Sequence, residues 1–323
     1  MSTRAVSAEI SAMSTVVALT GVGVAEQTIA RAAEHARQLA EAWEQRFSRF
    51  RPSSLLCRLN AANGRPVTAD ETFRALLERA ALAVARTGGR FDPAILPALE
   101  ALGYDRTIDL VRAAPQATSL APVLPRCSGV GSWAEVRVDH DGGAVTLPSG
   151  MRIDFGGIAK GAFVDLLAAE FAHWPGGCID AGGDAIMWGE APDGRAWHVG
   201  VENALAPDQD ALALDVPAGS RVGVATSGTH RRSWQFGGHA AHHLIDPRTG
   251  NPAQTGVRSV TALAATVTVA EVAAKAVLLA AAAPPVTDLF DASAVLLLAE
   301  DGRMELLHAS RGIDDDIEYH PAA

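Results

Sequence analysis

From Glu26 to Phe50 the apolar residues Ile29, Ala33, Ala36, Ala40, Trp43 and Phe47 recur at alternating steps of four and three, which predicts a helix with one buried face. A short apolar segment, Val16 to Val24, precedes it. A second helix is expected from Thr68-x-x-Glu71, a capping box, followed by Phe73, Leu76, Leu77, Ala80 and Val84 and stopped by Gly88-Gly89. From Ala114 to Ser132 the chain is rich in Pro, Ser and Gly and reads as a loop insertion. Beyond it the period changes to two. Val136 and Val138, a turn at Asp141-Gly142-Gly143, then Val145 and Leu147 predict a hairpin, and Met151, Ile153 and Phe155 the next strand. A helix from Ala159 to His173 follows, closed by Pro175-Gly176-Gly177. Further strands are expected at Cys178 to Ala181, Trp197 to Val201, Arg221 to Ala225, His243 to Ile245, Val257 to Ala264 and Ala294 to Leu298, with an alanine-rich helix at Val269 to Ala282. Helices and hairpins without regular βαβ alternation indicate an α+β fold of mixed or antiparallel sheets flanked by helices.

A chain of 323 residues, 48% hydrophobic and 20% charged, is a folded globular protein, and we expect a single domain over residues 10–310 with an insertion at 114–132. Lys and Arg number 27 against 37 Asp and Glu, a net charge of −10 that repels phosphate backbones and anionic lipid. Nucleic acid and membrane insertion are therefore not expected. Cys57, Cys127 and Cys178 lie far apart without paired spacing, which fits a reducing, cytoplasmic setting. No leader-like segment or apolar span of membrane length interrupts the pattern.

Four segments carry candidate chemistry. Gly156-Gly157-Ile158-Ala159-Lys160-Gly161 joins a strand to a helix, where free N–H groups and the positive helix end suit an anion such as phosphate. Its order is neither that of a Walker A loop nor G-x-G-x-x-G, and the glycines serve a tight turn equally well. The same two readings apply to Asp180-Ala181-Gly182-Gly183-Asp184, a ligand-binding turn or an ordinary one after a strand. His242-His243-Leu244-Ile245-Asp246-Pro247-Arg248-Thr249-Gly250 places a histidine on a short strand entering a fixed turn; it suits a general base or a strand cap. The hydroxyls of Thr226-Ser227-Gly228 suit either a ligand or the turn itself.

Taken in order, Met13-Ser14-Thr15, Phe47-Ser48-Arg49-Phe50 with Ser54 and Leu59-Asn60, Thr87 to Pro93, Ile153 to Gly161 with Asp165, Gly182-Gly183-Asp184, Thr226-Ser227-Gly228 and His243 to Gly250 closely resemble the FAD:protein FMN transferases, the ApbE-like family. The resemblance implies an enzyme that binds FAD, transfers FMN to a Ser or Thr hydroxyl of an acceptor flavoprotein and releases AMP. It implies FAD contacts at Met13, Phe50, Arg90, Phe91, Asp92, Asp154 and Lys160, with Thr226 and Ser227 as further ligand-binding candidates, and His243 as the group that activates the acceptor hydroxyl.

The family also implies Mg²⁺ held by the Asp and Thr of an A-D-x-x-x-T helix and by a backbone carbonyl, here near Gly157. This chain has Ala270-Glu271 followed by Lys275. Glu271 remains a candidate ligand, whereas charged Lys275 cannot ligate a metal and stands as a candidate replacement for it. Read locally, Thr268-x-x-Glu271 is a capping box and Glu271 with Lys275 an i, i+4 ion pair. Ser14 stands where the family usually has Gly. A non-catalytic FAD-binding protein with a degenerate metal site and a pyrophosphatase giving FMN and AMP remain alternatives.

Overall fold

The computed structural model describes residues 4–114, 130–280, 292–308 and 317–321. They form two compact units, the first from residues 1–42, 160–228 and 256–323 and the second from 43–159 and 229–255. Most of the insertion expected at 114–132, together with Cys127, lies outside the described residues. Among those described, no helix is long and apolar enough to cross a membrane.

The first unit is built on an eight-stranded antiparallel sheet. Its strands are β1 (Ala5–Ala12), β2 (Thr15–Val22), β6 (Gly176–Ala181), β7 (Asp184–Gly189), β10 (Arg221–Gly228), β13 (Val257–Ala264), β14 (Ala292–Ala299) and β15 (Met304–His308), adjacent in that order. A smaller sheet, ordered β16 (Glu318–Pro321), β9 (Asp210–Pro217), β8 (Ala196–Glu202), shares a core with it through Met187, Trp197, Leu214, Val216, Val222, Val224 and Leu263. Two helices, α7 (Ala159–Glu170) and α8 (Val267–Leu278), pack close together where a Cβ at Gly161 would come 2.9 Å from the Val267 backbone. Only glycine permits that approach. Most of α1 (Glu26–Phe47) also belongs to this unit.

The second unit contains α2 (Leu55–Ala61), α3 (Glu71–Arg86), α4 (Leu96–Ala101), α5 (Ile108–Ala113), α6 (Val130–Trp133), the small sheet β3 (Val67–Thr68), β5 (Ala144–Thr146), β4 (Arg137–Asp139) and the hairpin β11 (Ser233–Phe236) with β12 (His239–His242). Trp43, Phe47, Phe73 and Phe155 form its aromatic core, with Phe47 and Phe73 stacked at 5.3 Å.

The α+β reading and the first helix agree with the sequence pattern. Several local expectations change. Neither capping box forms: Asp70 caps α3 through the Phe73 N–H, because Thr68 is already in β3. Thr266 caps α8 through the Val269 N–H, because the Thr268 hydroxyl is given to Asp165. Gly176 and Gly177 do not close a helix but begin β6, where a side chain would strike Glu190 or Trp188. Residues 151–155 keep their alternating burial yet join no sheet. Asn60 instead takes both backbone groups of Ile153, and the Asp154 N–H donates to Pro93 O at 2.8 Å. Similarly, 243–245 is not a strand, and only Ile245 makes an isolated bridge, to Pro252.

Candidate active site

In the first unit, two hairpin turns lie side by side at one end of the large sheet. Met13-Ser14 joins β1 to β2 with φ of +50° and +59°, the two left-handed residues that a two-residue hairpin loop of the primed type requires. Glycine takes this conformation freely, whereas Ser14 carries a backbone cost of about 1 kcal/mol. Gly182-Gly183 turns between β6 and β7, and β6 pairs with β2 from Val17↔Ala181 onward.

Beside that turn sits a buried charge centre. Lys160, in the first turn of α7, pairs with Asp184 and donates to Ala181 O at 3.1 Å. Asp184 Oδ1 accepts the Thr226 N–H of β10 at 3.1 Å. On α8, Glu271 Oε2 accepts the Gly161 N–H at 2.9 Å and Oε1 lies 3.1 Å from Lys275 Nζ. Burial pushes the Asp184 carboxyl up, with Lys160 pulling against it and Glu271 adding to the rise. Burial also works against the charge on Glu271, but Lys275, Lys160 and the Gly161 N–H together hold its carboxyl below the usual range. Nearby, Asp165 accepts the Val267 and Thr268 N–H groups at 2.8 and 2.9 Å and so fixes the start of α8; burial raises its carboxyl.

In the second unit, the Arg49 guanidinium contacts two tilted rings, 4.1 Å from the Phe50 centroid and 4.4 Å from that of Tyr104, the two rings being 6.1 Å apart. Its Nη1 donates to Tyr104 O at 2.7 Å and its Nε stands 3.6 Å from Asp154 Oδ1. Nη2 is buried without a hydrogen-bond partner. An orphaned, buried guanidinium donor is costly and marks a place where an acceptor belongs. Asp154 is tied through its N–H to Pro93, next to Asp92. Thr87 closes the Gly88-Gly89-Arg90 turn by accepting the Phe91 N–H at 3.1 Å, and Phe91 is buried in the core.

Asp92 caps a short 3₁₀ turn: its Oδ1 accepts the Ala94 N–H and the Trp133 indole N–H, both at 2.8 Å. Burial pushes its carboxyl from 3.8 up to about 6, against the pull of those two hydrogen bonds. Between these values the folded chain holds a proton that the unfolded chain has released. This group's contribution is therefore full below the unfolded value and is lost as pH rises through about 6, by on the order of 2–3 kcal/mol. Asp92→Asn should flatten the dependence of the urea midpoint on pH between about 4 and about 7. An unchanged slope would assign the acid-range stability to other groups.

His243 follows β12, and the segment carrying it is anchored in the second unit. The Trp234 ring packs tilted against Tyr104 at 5.1 Å and its indole N–H donates to Leu102 O at 2.8 Å, while Ala241 and Ile245 join Leu99 and Leu102 in one apolar cluster. The Asp246 turn closes through Gly250 N–H to Asp246 O and Asp246 N–H to Asn251 O, both 2.8 Å. His243 Nδ1 lies 3.3 Å from Arg232 O. That contact is satisfied when Nδ1 carries the proton, the tautomer in which Nε2 is the basic nitrogen.

Of the candidates read from sequence, Met13, Lys160, Thr226, Ser227 and Glu271 lie in the first unit, and Phe50, Arg90, Phe91, Asp92, Asp154, Gly157 and His243 in the second. Lys160 and Thr226 meet at Asp184. Phe50 and Asp154 meet at Arg49. Thr226 and Ser227 are consecutive in β10 and face opposite sides, with Thr226 Oγ1 paired to Thr261 Oγ1 at 2.8 Å. The glycine-rich loop offers less to an anion than its sequence suggested, since the Ile158 and Ala159 N–H groups donate to Phe155 O. Arg49 and Asp184 were not singled out as site residues. Each acquires its role through a partner remote in sequence, so no local spacing signals it.

The ApbE family model matches residues 13–286. A FAD:protein FMN transferase of Treponema pallidum (strain Nichols) is 33% identical over 249 residues, which are 72% of this chain and 67% of that protein. One from Rhodobacter capsulatus is 28% identical over 276 residues, 83% of this chain but only 50% of its own length. The crystal structure of the ApbE protein from Thermotoga maritima superposes with a TM-score of 0.79 at 26% identity, covering 95% of this chain and 97% of that one. The flavin transferase ApbE from Vibrio cholerae has the same fold, with a TM-score of 0.74 and 20% identity.

Proposed function

Because this chain belongs to the ApbE family, we propose that residues 10–310 act as one flavin transferase domain that binds FAD and moves its FMN part onto a Ser or Thr hydroxyl of an acceptor flavoprotein, releasing AMP. The observation that carries this reading is the buried Lys160–Asp184 centre of the first unit, built around a cation that leads α7. FAD offers one pyrophosphate and two flat ring systems. To the pyrophosphate we assign the Lys160 ammonium of the first unit, held at the start of α7 by Asp184 and Ala181 O.

In the reaction, the acceptor hydroxyl oxygen bonds to the phosphorus that bears riboflavin, and the bridging P–O bond breaks with its electron pair leaving on AMP. His243 Nε2 takes the hydroxyl proton, so the attacking oxygen is an alkoxide in character as the bond forms. Arg232 O keeps the imidazole in the required tautomer. Asp184 and Ala181 O fix Lys160, so that its charge needs no reorganisation at the moment of transfer. A family-type Mg²⁺ would call on Glu271 and on the residue one turn along α8. The first has both carboxylate oxygens engaged and the second is Lys275, so the donor set does not fit a hard divalent cation, and no step is routed through one.

Calorimetric titration tests the substrate assignment: FAD should bind at least tenfold more tightly than FMN, since only FAD carries the pyrophosphate and the second ring. Equal affinity for the two, or none for FAD, would remove the basis for a transferase.

A further inference from the structure

At the buried centre of the first unit two carboxylates, Asp184 and Glu271, are each paired with an ammonium, Lys160 and Lys275. Glu271 is fully committed, Oε2 to the Gly161 N–H at 2.9 Å and Oε1 to Lys275 at 3.1 Å, and its side chain is 3% exposed. Lys275 also reaches the Glu271 carbonyl at 3.4 Å, which seats its ammonium over the turn that the family uses for metal ligands. A divalent ion at Glu271 would have to displace that ammonium from a buried carboxylate. It would then bring two further positive charges beside two ammonium groups that are already balanced. Mg²⁺ also demands near-octahedral oxygen ligation and gives up its waters reluctantly, while a charged lysine has no lone pair to offer. Repulsion and missing ligands therefore act in the same direction.

We propose that Lys275 is a tethered replacement for the divalent cation, so that this chain engages the FAD pyrophosphate without any metal. The idea rests on the FAD reading given above. Lys275 is held on its own helix by Glu271, four residues earlier, and its side chain keeps 13% of its surface exposed, as Lys160 keeps 17%. Each ammonium has three donors. Lys275 uses donors toward Glu271 and Lys160 toward Asp184 and Ala181, which leaves one on each to meet a phosphate oxygen. A fixed ammonium supplies one positive charge where a metal supplies two and a coordination template. The prediction is a metal-independent site whose affinity for the pyrophosphate is set by Lys160 and Lys275 together.

Two titrations decide the matter. In the first, the wild-type protein without FAD is titrated with Mn²⁺ and free ion is followed by electron paramagnetic resonance. No saturable binding at millimolar ion is expected, and saturable binding that Mg²⁺ displaces would overturn the replacement. In the second, FAD affinity is measured in excess EDTA and in millimolar Mg²⁺. The wild type should give the same value in both, and Lys275→Ala should lose about tenfold in either buffer. An unchanged affinity in Lys275→Ala would reduce the lysine to an ion-pair partner of Glu271 and sink the proposal. Glu271→Asp combined with Lys275→Thr should gain Mn²⁺ binding and a Mg²⁺-dependent FAD affinity. The wild-type Mn²⁺ titration needs no variant, so it reads out even where a substitution disturbs folding. Absence of FAD binding in both buffers would overturn the FAD reading itself, whereas Mn²⁺ binding overturns the lysine replacement alone.

Discussion

His243→Ala is expected to slow FMN transfer by about 10²–10⁴-fold while leaving FAD affinity nearly unchanged, the usual contribution of a positioned general base. The expectation comes from the way the histidine is held. Its Nδ1 faces Arg232 O at 3.3 Å, and its segment is clamped by the Trp234–Tyr104 ring contact and the closed turn at Asp246. Removing the ring leaves that framework in place, because Trp234, Ala241 and Ile245 rather than His243 form the apolar cluster. The loss should therefore appear in the transfer step. Single-turnover AMP release with saturating FAD measures it, and a His243→Ala variant with wild-type rates would transfer the role of base to another group.

Lys160→Met is expected to destabilise the first unit by about 3–5 kcal/mol at mildly alkaline pH, the range for breaking one partner of a buried ion pair. Among the described residues, Asp184 would be left with the Thr226 N–H as its donor, in a side chain 5% exposed. Burial already pushes its carboxyl up, and loss of Lys160 removes the leading opposing influence. The variant's folded state would then hold a proton that its unfolded chain releases, so its stability should recover as pH falls and its deficit against wild type should narrow. Adding Asp184→Asn removes the uncompensated charge and should restore a large part of the loss. Urea midpoints of the two variants at about pH 5 and about pH 8, without FAD, check this. Equal deficits at both pH values would show that Asp184 does not carry the buried charge.

What the sequence made legible followed from locality. The buried stripe of α1, the hairpin at 137–146 and the Glu271–Lys275 pair all depend on residues within a few positions of one another, and all are present. The two expected capping boxes failed because the T-x-x-E spacing ignores competition: Thr68 is taken by a sheet, and Thr268 by an aspartate 103 residues earlier. Residues 151–155 alternate like a strand, but their backbone is satisfied by a side chain, Asn60, which periodicity does not register. The N-terminal strand Ala5–Ala12 was hidden by its small alanines and serines, although Glu9 and Ile10 follow the alternation. Among the candidates, His243 stands out by its turn and Lys160 by its place at a helix start. The Arg49 contacts wait on Tyr104, 55 residues away, and those of Asp184 wait on Lys160 and Thr226. A charge buried by the fold looks, in sequence, like any other turn residue.

The central claim is that this chain transfers FMN from FAD to a protein hydroxyl. The most direct measurement incubates the purified protein with FAD and an acceptor flavoprotein in excess EDTA, then quantifies AMP, free FMN and flavin that remains on the acceptor after denaturation. One AMP is expected for each flavin attached to a Ser or Thr, with little free FMN. Intact FAD bound without AMP release would make the chain a flavin-binding protein, and equal AMP and free FMN with no attached flavin would make it a pyrophosphatase; either result contradicts the account.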